Sequence, residues 1–218
     1  MEKNDRFLRQ LDILKPEVCQ ETIFIIGAGA TGSFVALALA KMGFENIIVF
    51  DEDKVEEHNF PNQIFPLEAI GVNKAEALAN VVKQFTGVEI TAIPRFYTTE
   101  PLAGIVISAL DSMSGRKQIF ENCQEKQTVR LLIDSRTGAE VFRVLTINMS
   151  VGPEREYYAK TLFNDADAEE APCTARSIIY SVLAVSACIA NQVKSFQMNQ
   201  PLKKDIGFDL RHNFISAR

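Results

Sequence analysis

Apolar runs and amphipathic stretches alternate along the first 134 residues of the chain. Ile23-Phe24-Ile25-Ile26 is a short unbroken apolar run that stops at glycine, the pattern of a strand covered on both faces. Residues 30–42 are rich in alanine and leucine and predict a helix, with Gly43 as its stop. Residues 46–50 predict a second buried strand. Residues 73–85 predict an amphipathic helix, with Ala75, Leu78, Ala79 and Val82 on its apolar face. Further strands are expected at 88–93, 105–109 and 129–133, with a helix over 113–123 between the last two. This alternation predicts a Rossmann-like, doubly wound α/β fold with a mostly parallel sheet.

After Asp134 the pattern changes. Residues 140–147 predict a strand antiparallel to the others, and 206–214 a last strand, so the C-terminal strands are expected to be antiparallel. Residues 152–172 are polar and acidic (Asp165, Asp167, Glu169, Glu170) and predict a mobile crossover loop. Residues 174–198 predict one long helix with Pro172 just before it. Residues 1–20 are expected to form an N-terminal arm or helix. Nothing divides the chain, so 1–218 is expected to be a single domain.

Composition narrows the function classes. The chain is 47% hydrophobic and 23% charged, as a globular protein is. A net charge of −5 argues against a general nucleic-acid binder, which carries a basic face. The first ten residues are polar and charged, unlike a signal peptide. The most apolar run, 178–190, is too short to span a bilayer and is interrupted by Tyr180, Ser181 and Ser186. A cytoplasmic protein without a membrane partner is expected. The four cysteines (Cys19, Cys123, Cys173, Cys188) form no CxxC pair, and His58 and His212 are the only histidines, so no zinc site is expected.

The candidate chemistry begins at Gly27-Ala28-Gly29-Ala30-Thr31-Gly32, which fits G-x-G-x-x-G between a strand and a helix. Gly27 would make the tight turn, Gly29 would let backbone approach phosphate, and Gly32 would let the helix pack close to the sheet. Phosphate would sit at the helix N-terminus, where free N–H groups and the dipole favour negative charge. Asp51 ends the next strand, where a carboxylate can accept hydrogen bonds from a ribose. The plain alternative is a tight turn with no ligand. An NAD-dependent oxidoreductase could share this much, but the chain has no evident substrate domain and few histidines.

Beyond that loop the sequence resembles the ThiF/MoeB/HesA superfamily, whose fold is shared with ubiquitin-activating enzymes. Arg6-Phe7-Leu8-Arg9-Gln10 is similar to the family's R-[YF]-x-R-Q. Asp51-Glu52-Asp53-Lys54-Val55, Asn59-Phe60-Pro61-Asn62-Gln63 (for N-L-x-R-Q), Gly71-Val72-Asn73-Lys74 and Ala109-Leu110-Asp111 follow in the family's order. Asp134-Ser135-Arg136-Thr137-Gly138-Ala139-Glu140 and Pro172-Cys173-Thr174-Ala175-Arg176 resemble a zinc-free branch.

The resemblance implies ATP-dependent adenylylation of the C-terminal carboxylate of a ubiquitin-like or sulfur-carrier protein ending in Gly-Gly. It implies that Gly27, Gly29, Gly32 and Asp51 bind the nucleotide, that Asn59 and Lys74 contact phosphates, and that Asp111 orients Mg²⁺ near them. It implies that Arg9 reaches the phosphates from the other subunit of a homodimer. Some relatives pass the adenylate to a cysteine. Cys173 is the candidate nucleophile, with gap-filling as its plain alternative, and Cys188 is expected in the core.

Plain readings stand beside the other roles: Lys74 as a solvated lysine, Asp111 as a helix cap, Asp53 as a loop-structuring residue. Asn62 stands where the family has arginine, so one phosphate-facing cation is missing, and Arg136 and Arg95 are the conceivable substitutes. Two further readings follow from these departures: a degenerate nucleotide- or partner-binding module without turnover, and adenylylation of a non-protein carboxylate.

Overall fold

A computed structural model describes residues 3–164 and 177–218. Its strands are β1 (Ile23–Ile26), β2 (Ile47–Phe50), β3 (Thr91–Ile93), β4 (Gly104–Ser108), β5 (Val129–Gly138), β6 (Val141–Asn148), β7 (Asp205–Asp209) and β8 (Phe214–Ala217). Its α-helices are α1 (Ala30–Met42), α2 (Lys74–Thr86), α3 (Met113–Lys126), α4 (Gly152–Ala159) and α5 (Ile179–Gln197). The strands form one sheet in the order β3-β2-β1-β4-β5-β6-β7-β8. Pairing is parallel from β3 through β5 and antiparallel from β5 through β8. This is the Rossmann-like order, with its reversal between β1 and β4.

Alternation along each strand builds two cores. Ile23, Ile25, Ile105, Ile107, Leu131 and Ile133 pack with Val35 and Leu39 of α1, Leu78 and Val82 of α2, and Val185 and Ile189 of α5. Phe24, Ile26, Val106 and Leu132 face the other way, onto Ile119 and Phe120 of α3 and Tyr158 of α4. Consecutive strand residues are therefore both buried, which is why the strands read as unbroken apolar runs. Gly43 closes α1 in the left-handed region (φ 106°), its N–H returning to Ala40 O and Leu39 O. Among the described residues no helix is long and apolar enough to cross a membrane.

Several expectations need correction. The stretch expected as loop from 152 begins as α4. Pro153 fits a helix start, where its missing N–H costs nothing, and the fully buried Tyr158 anchors the helix against the sheet. The polar composition hid a helix held by a narrow apolar contact. The expected last strand is a hairpin: Asp209 accepts the His212 N–H (3.2 Å) and Asn213 turns at φ 51°, separating β7 from β8. The third strand is shorter than expected, since only Thr91–Ile93 pairs with β2. In the long helix, Ile178 is still extended, and regular structure starts at Ile179. Residues 165–176, including Cys173 and Arg176, lie outside the described residues.

Candidate functional site

The C-terminal ends of β1, β2, β4 and β5 bring most of the singled-out residues to one edge of the sheet. Gly27 has φ 101°, and a Cβ there would stand 2.7 Å from Ala109 O, so the turn after β1 is pressed against the end of β4. Gly32 lies closer still: a Cβ would stand 1.9 Å from Gly27 O. Gly29 differs, because a Cβ there would meet nothing within 4 Å. Two glycines are therefore required by packing, and the third faces open space. Gly29 is also the N-cap of α1 and provides no side-chain acceptor, leaving the first-turn N–H groups of α1 uncapped by any side chain.

Asp51 closes this loop from the side. Its Oδ2 accepts the Ala28 N–H (2.6 Å) and its Oδ1 the Asp53 N–H (2.9 Å). Burial pushes its carboxyl above the usual range, and the two backbone N–H donors and Lys74 pull the other way without cancelling it. Asn73 ties α2 to the same place. Its Oδ1 caps Ala75 N–H (2.8 Å), and its Nδ2 donates to Asp51 O (2.9 Å) and Asp53 O (3.1 Å). Lys74 is thereby set at the first position of α2, buried, with Nζ 2.8 Å from Asp53 Oδ2. It is not a solvated lysine, and Asp53 is the residue that holds it. Asn59 is also buried. Its Oδ1 accepts the Glu56 N–H (2.9 Å), closing a short turn over Glu57–Asn59. Nearby in sequence, Gln63 Oε1 is buried without a hydrogen-bond partner among the described residues.

Asp111 follows β4 and is exposed. The cap of α3 is Ser112, whose Oγ accepts the Gly115 N–H (3.3 Å), so the capping role considered for Asp111 belongs to its neighbour. The Asp111 carboxylate makes no hydrogen bond or ion pair among the described residues. An unpaired carboxylate beside the glycine loop is of the kind Mg²⁺ takes, which uses one or two carboxylates together with phosphate oxygens. Among the described residues no three His, Cys, Asp or Glu side chains converge as a metal cluster.

Other expected cations are spent. Arg136 donates to Asp134 (2.8 Å) and to Thr161 O (2.8 Å) and Oγ1 (2.9 Å). Arg95 pairs with Glu100. Asn62 donates to Ser177 O (3.2 Å) and Oγ (2.9 Å). Ser177 in turn bridges to Ala139, after β5, so the contact runs from the β2 side of the sheet to the β5 side, over β1 and β4. Arg9 is exposed and is not brought to the glycine loop of its own chain. The neighbouring Gln10 is fastened to Met42 O (2.8 Å), at the far end of α1. Cys123 is buried, which pushes its thiol up to about 12, and Cys188 is half-buried against the core, its thiol also raised by burial.

Sequence reading missed the buried Arg116. It follows Asp111 by five positions and shares a helix face with Ile119, Phe120 and Cys123. A charge inside an apolar stripe is a signal for a buried partner, here Asp134 (2.9 Å). Two cavities lie at the opposite end of the sheet. One, about 720 Å³, is lined by Arg130, Arg155, Met149 and Phe196 among others, and one of about 510 Å³ lies between Arg6, Gly43 and Phe85.

Comparison with known proteins bears on the fold and the family. The chain is 31% identical over 141 residues to the NEDD8-activating enzyme E1 catalytic subunit of Arabidopsis thaliana, covering 56% of this chain and 30% of that one. It is 31% identical over 140 residues to SUMO-activating enzyme subunit uba-2 of Caenorhabditis elegans, covering 60% and 24%. The match thus spans about a quarter to a third of these relatives' length. Among solved structures, PaaA superposes with TM-score 0.78 at 16% identity, covering 100% of this chain and 74% of PaaA. E. coli MccB crystallised with ATP gives 0.78 at 17%, covering 99% and 72%. A family model described as "ThiF family" matches residues 16–201. By that match, which takes in every element from β1 through α5, the chain belongs to the ThiF family.

Proposed function

We propose that this chain binds ATP along the ends of β1, β2 and β4 and adenylylates the C-terminal carboxylate of a small ubiquitin-like or sulfur-carrier protein ending in Gly-Gly. The observation that carries the reading is the contrast within the glycine loop: Gly27 and Gly32 are closed by backbone, while Gly29 faces open space at an uncapped helix start. A phosphate fits that space chemically, because N–H groups and the helix dipole favour an anion there. The relatives named as activating enzymes for NEDD8 and SUMO support a protein substrate.

In this reading an oxygen of the acceptor carboxylate attacks the α-phosphorus of ATP. The new acyl–phosphate bond forms as the bond from the α-phosphorus to the bridging oxygen breaks, and pyrophosphate leaves with that electron pair. No general base is needed, since a C-terminal carboxyl with a pKa of about 3.3–3.7 is already ionised at neutral pH. The task left to the protein is to offset repulsion between anions. Asp51 holds the ribose, the loop N–H groups and Lys74 meet phosphate oxygens, and Asn59 lines the same edge. Asp111 would hold Mg²⁺, which would supply charge neutralisation on the phosphates. Arg9 adjoins Gln10, which is fastened at the far end of α1, and in this reading it reaches the phosphates from the second copy of a homodimer, as the family resemblance implies. Cys173 is the candidate acceptor for a later thioester step.

The test is ATP–pyrophosphate exchange with purified chain, Mg²⁺ and candidate carrier proteins. Exchange that depends on an intact Gly-Gly terminus is expected. Exchange supported instead by a non-protein carboxylate would replace the substrate class. ATP binding with no exchange for any carboxylate would favour a module without turnover. That second reading is motivated by Asn62, whose amide is spent on Ser177, and by the ion pairs that occupy Arg95 and Arg136.

A further inference from the structure

Arg116 is 6% exposed, and its donors are shared among four acceptors on two strand ends. Nε donates to Asp134 Oδ1 (2.9 Å), Nη1 to Asp111 O (3.1 Å), and Nη2 to both Leu110 O and Ser135 O, the latter at 3.1 Å. Asp134 is fully buried, and its second oxygen takes Nε of Arg136. From there Arg136 reaches Thr161, just beyond α4. Arg116 has little left to offer a ligand. What it grips is the main chain of the turn that carries Asp111.

That turn touches the site twice. Ala109 O presses on Gly27, and Asp111 presents its carboxylate to solvent. A buried ion pair can often be replaced by apolar side chains without loss of stability, so stability alone is a weak reason for one here. A planar fork that ties carbonyls of one turn to a carboxylate on the next strand has a geometric use, and lysine cannot reproduce it.

We propose that Arg116 is a positioning residue: through the Leu110 and Asp111 carbonyls it fixes the β4–α3 turn, keeping the Asp111 carboxylate at the nucleotide site. Asp134 and Arg136 brace that guanidinium from the β5 side. The proposal rests on the adenylylation reading for its purpose, but its structural part can be tested apart from it.

The experiment compares wild type, Arg116→Lys, Asp111→Asn and the double variant. Each is titrated calorimetrically with a non-hydrolysable ATP analogue, with and without Mg²⁺. Arg116→Lys is expected to lose about 10–100-fold of the Mg²⁺-dependent affinity, the range for residues that orient a metal ligand, while Mg²⁺-free binding stays put. In the Asp111→Asn background it is expected to add nothing, because both changes remove one unit. A loss that is equal with and without Mg²⁺, or that adds to Asp111→Asn, would overturn the proposal and leave a purely structural ion pair. Should Arg116→Lys fail to fold, Asp134→Asn keeps the shape and takes its place in the same cycle. Amide exchange supplies a readout without nucleotide. It should speed up at Ala109, whose N–H donates to Ile26 O (2.9 Å) at the start of the turn, in Arg116→Lys while the interior of β4 stays protected, and unchanged exchange there would overturn the proposal. Absence of analogue binding by wild type would overturn the adenylylation reading, and the exchange result would still decide the role of Arg116 in holding the turn.

Discussion

Gly29→Ala and Gly32→Ala add the same methyl group to the same loop, and the structure assigns them opposite effects. At Gly32 the new Cβ would lie 1.9 Å from Gly27 O, so the first turn of α1 must move off the loop by more than 1 Å. Replacing glycine by alanine in a helix gains about 1 kcal/mol of propensity. Overpacking costs about 1–3 kcal/mol and more where backbone must shift, so Gly32→Ala should be net destabilising by about 1–2 kcal/mol. At Gly29 the Cβ meets nothing within 4 Å and φ is −72°, so stability should stay within about 0.5 kcal/mol of wild type. The methyl would, however, stand where a phosphate has to approach. Loss of one hydrogen bond to a charged group costs about 1.5–3 kcal/mol, or about 10–150-fold in affinity. Urea unfolding with its m-value gives the stability of each variant, and calorimetric titration with an ATP analogue gives the affinity. The reasoning fails if Gly29→Ala destabilises as much as Gly32→Ala, or if it leaves ATP affinity untouched.

Three further outcomes are expected. Lys74→Met should weaken binding of the ATP analogue by about 10–100-fold, a charge-assisted contact's worth, with little change in urea midpoint because Asp53 is 65% exposed and needs no partner; unchanged affinity would remove Lys74 from the site. Asn62→Ala removes both hydrogen bonds to Ser177, costing about 1–3 kcal/mol, and should raise amide exchange at the start of α5; unaltered protection there would show the contact to be idle. Arg143 holds the Asp205 carboxyl below its usual range. The linked stability is therefore present above the unfolded value of about 3.9 and is lost as pH falls through the lower folded value. Arg143→Met should flatten the decline in urea midpoint between pH 5 and pH 2, by at most about 1 kcal/mol because the Arg143 side chain is 40% exposed, and an identical decline would refute it.

The parallel half of the fold was legible because each strand is buried on both sides and each helix shows its face. Ile23–Ile26 and Ile47–Phe50 could be read almost to the residue for that reason. The α4 helix was not, since one buried tyrosine and a fitting proline carry no period. The turn of the last hairpin was not, since Asn213 adopts φ 51° without a glycine to mark it. At the site, the glycine loop and Asp51 were visible as local pattern. The Asp53–Lys74 and Asn62–Ser177 contacts join residues 21 and 115 positions apart, which no local pattern records. Ser112 displaced Asp111 as the cap by one position, within the ordinary error of reading helix starts.

The contact from Asn62 through Ser177 to Ala139 also bears on kinetics. It lies across the sheet edge where nucleotide is proposed to bind, so a molecule arriving from above β1 and β4 must wait for it to part. Two neutral hydrogen bonds hold it, worth about 1–3 kcal/mol together. The parted form would then make up roughly 1–15% of molecules, and arrival by that route would slow by the same factor. Entry along the flank of the sheet carries no such delay. On the proposed reading, Asn62 would then act on the rate at which nucleotide enters.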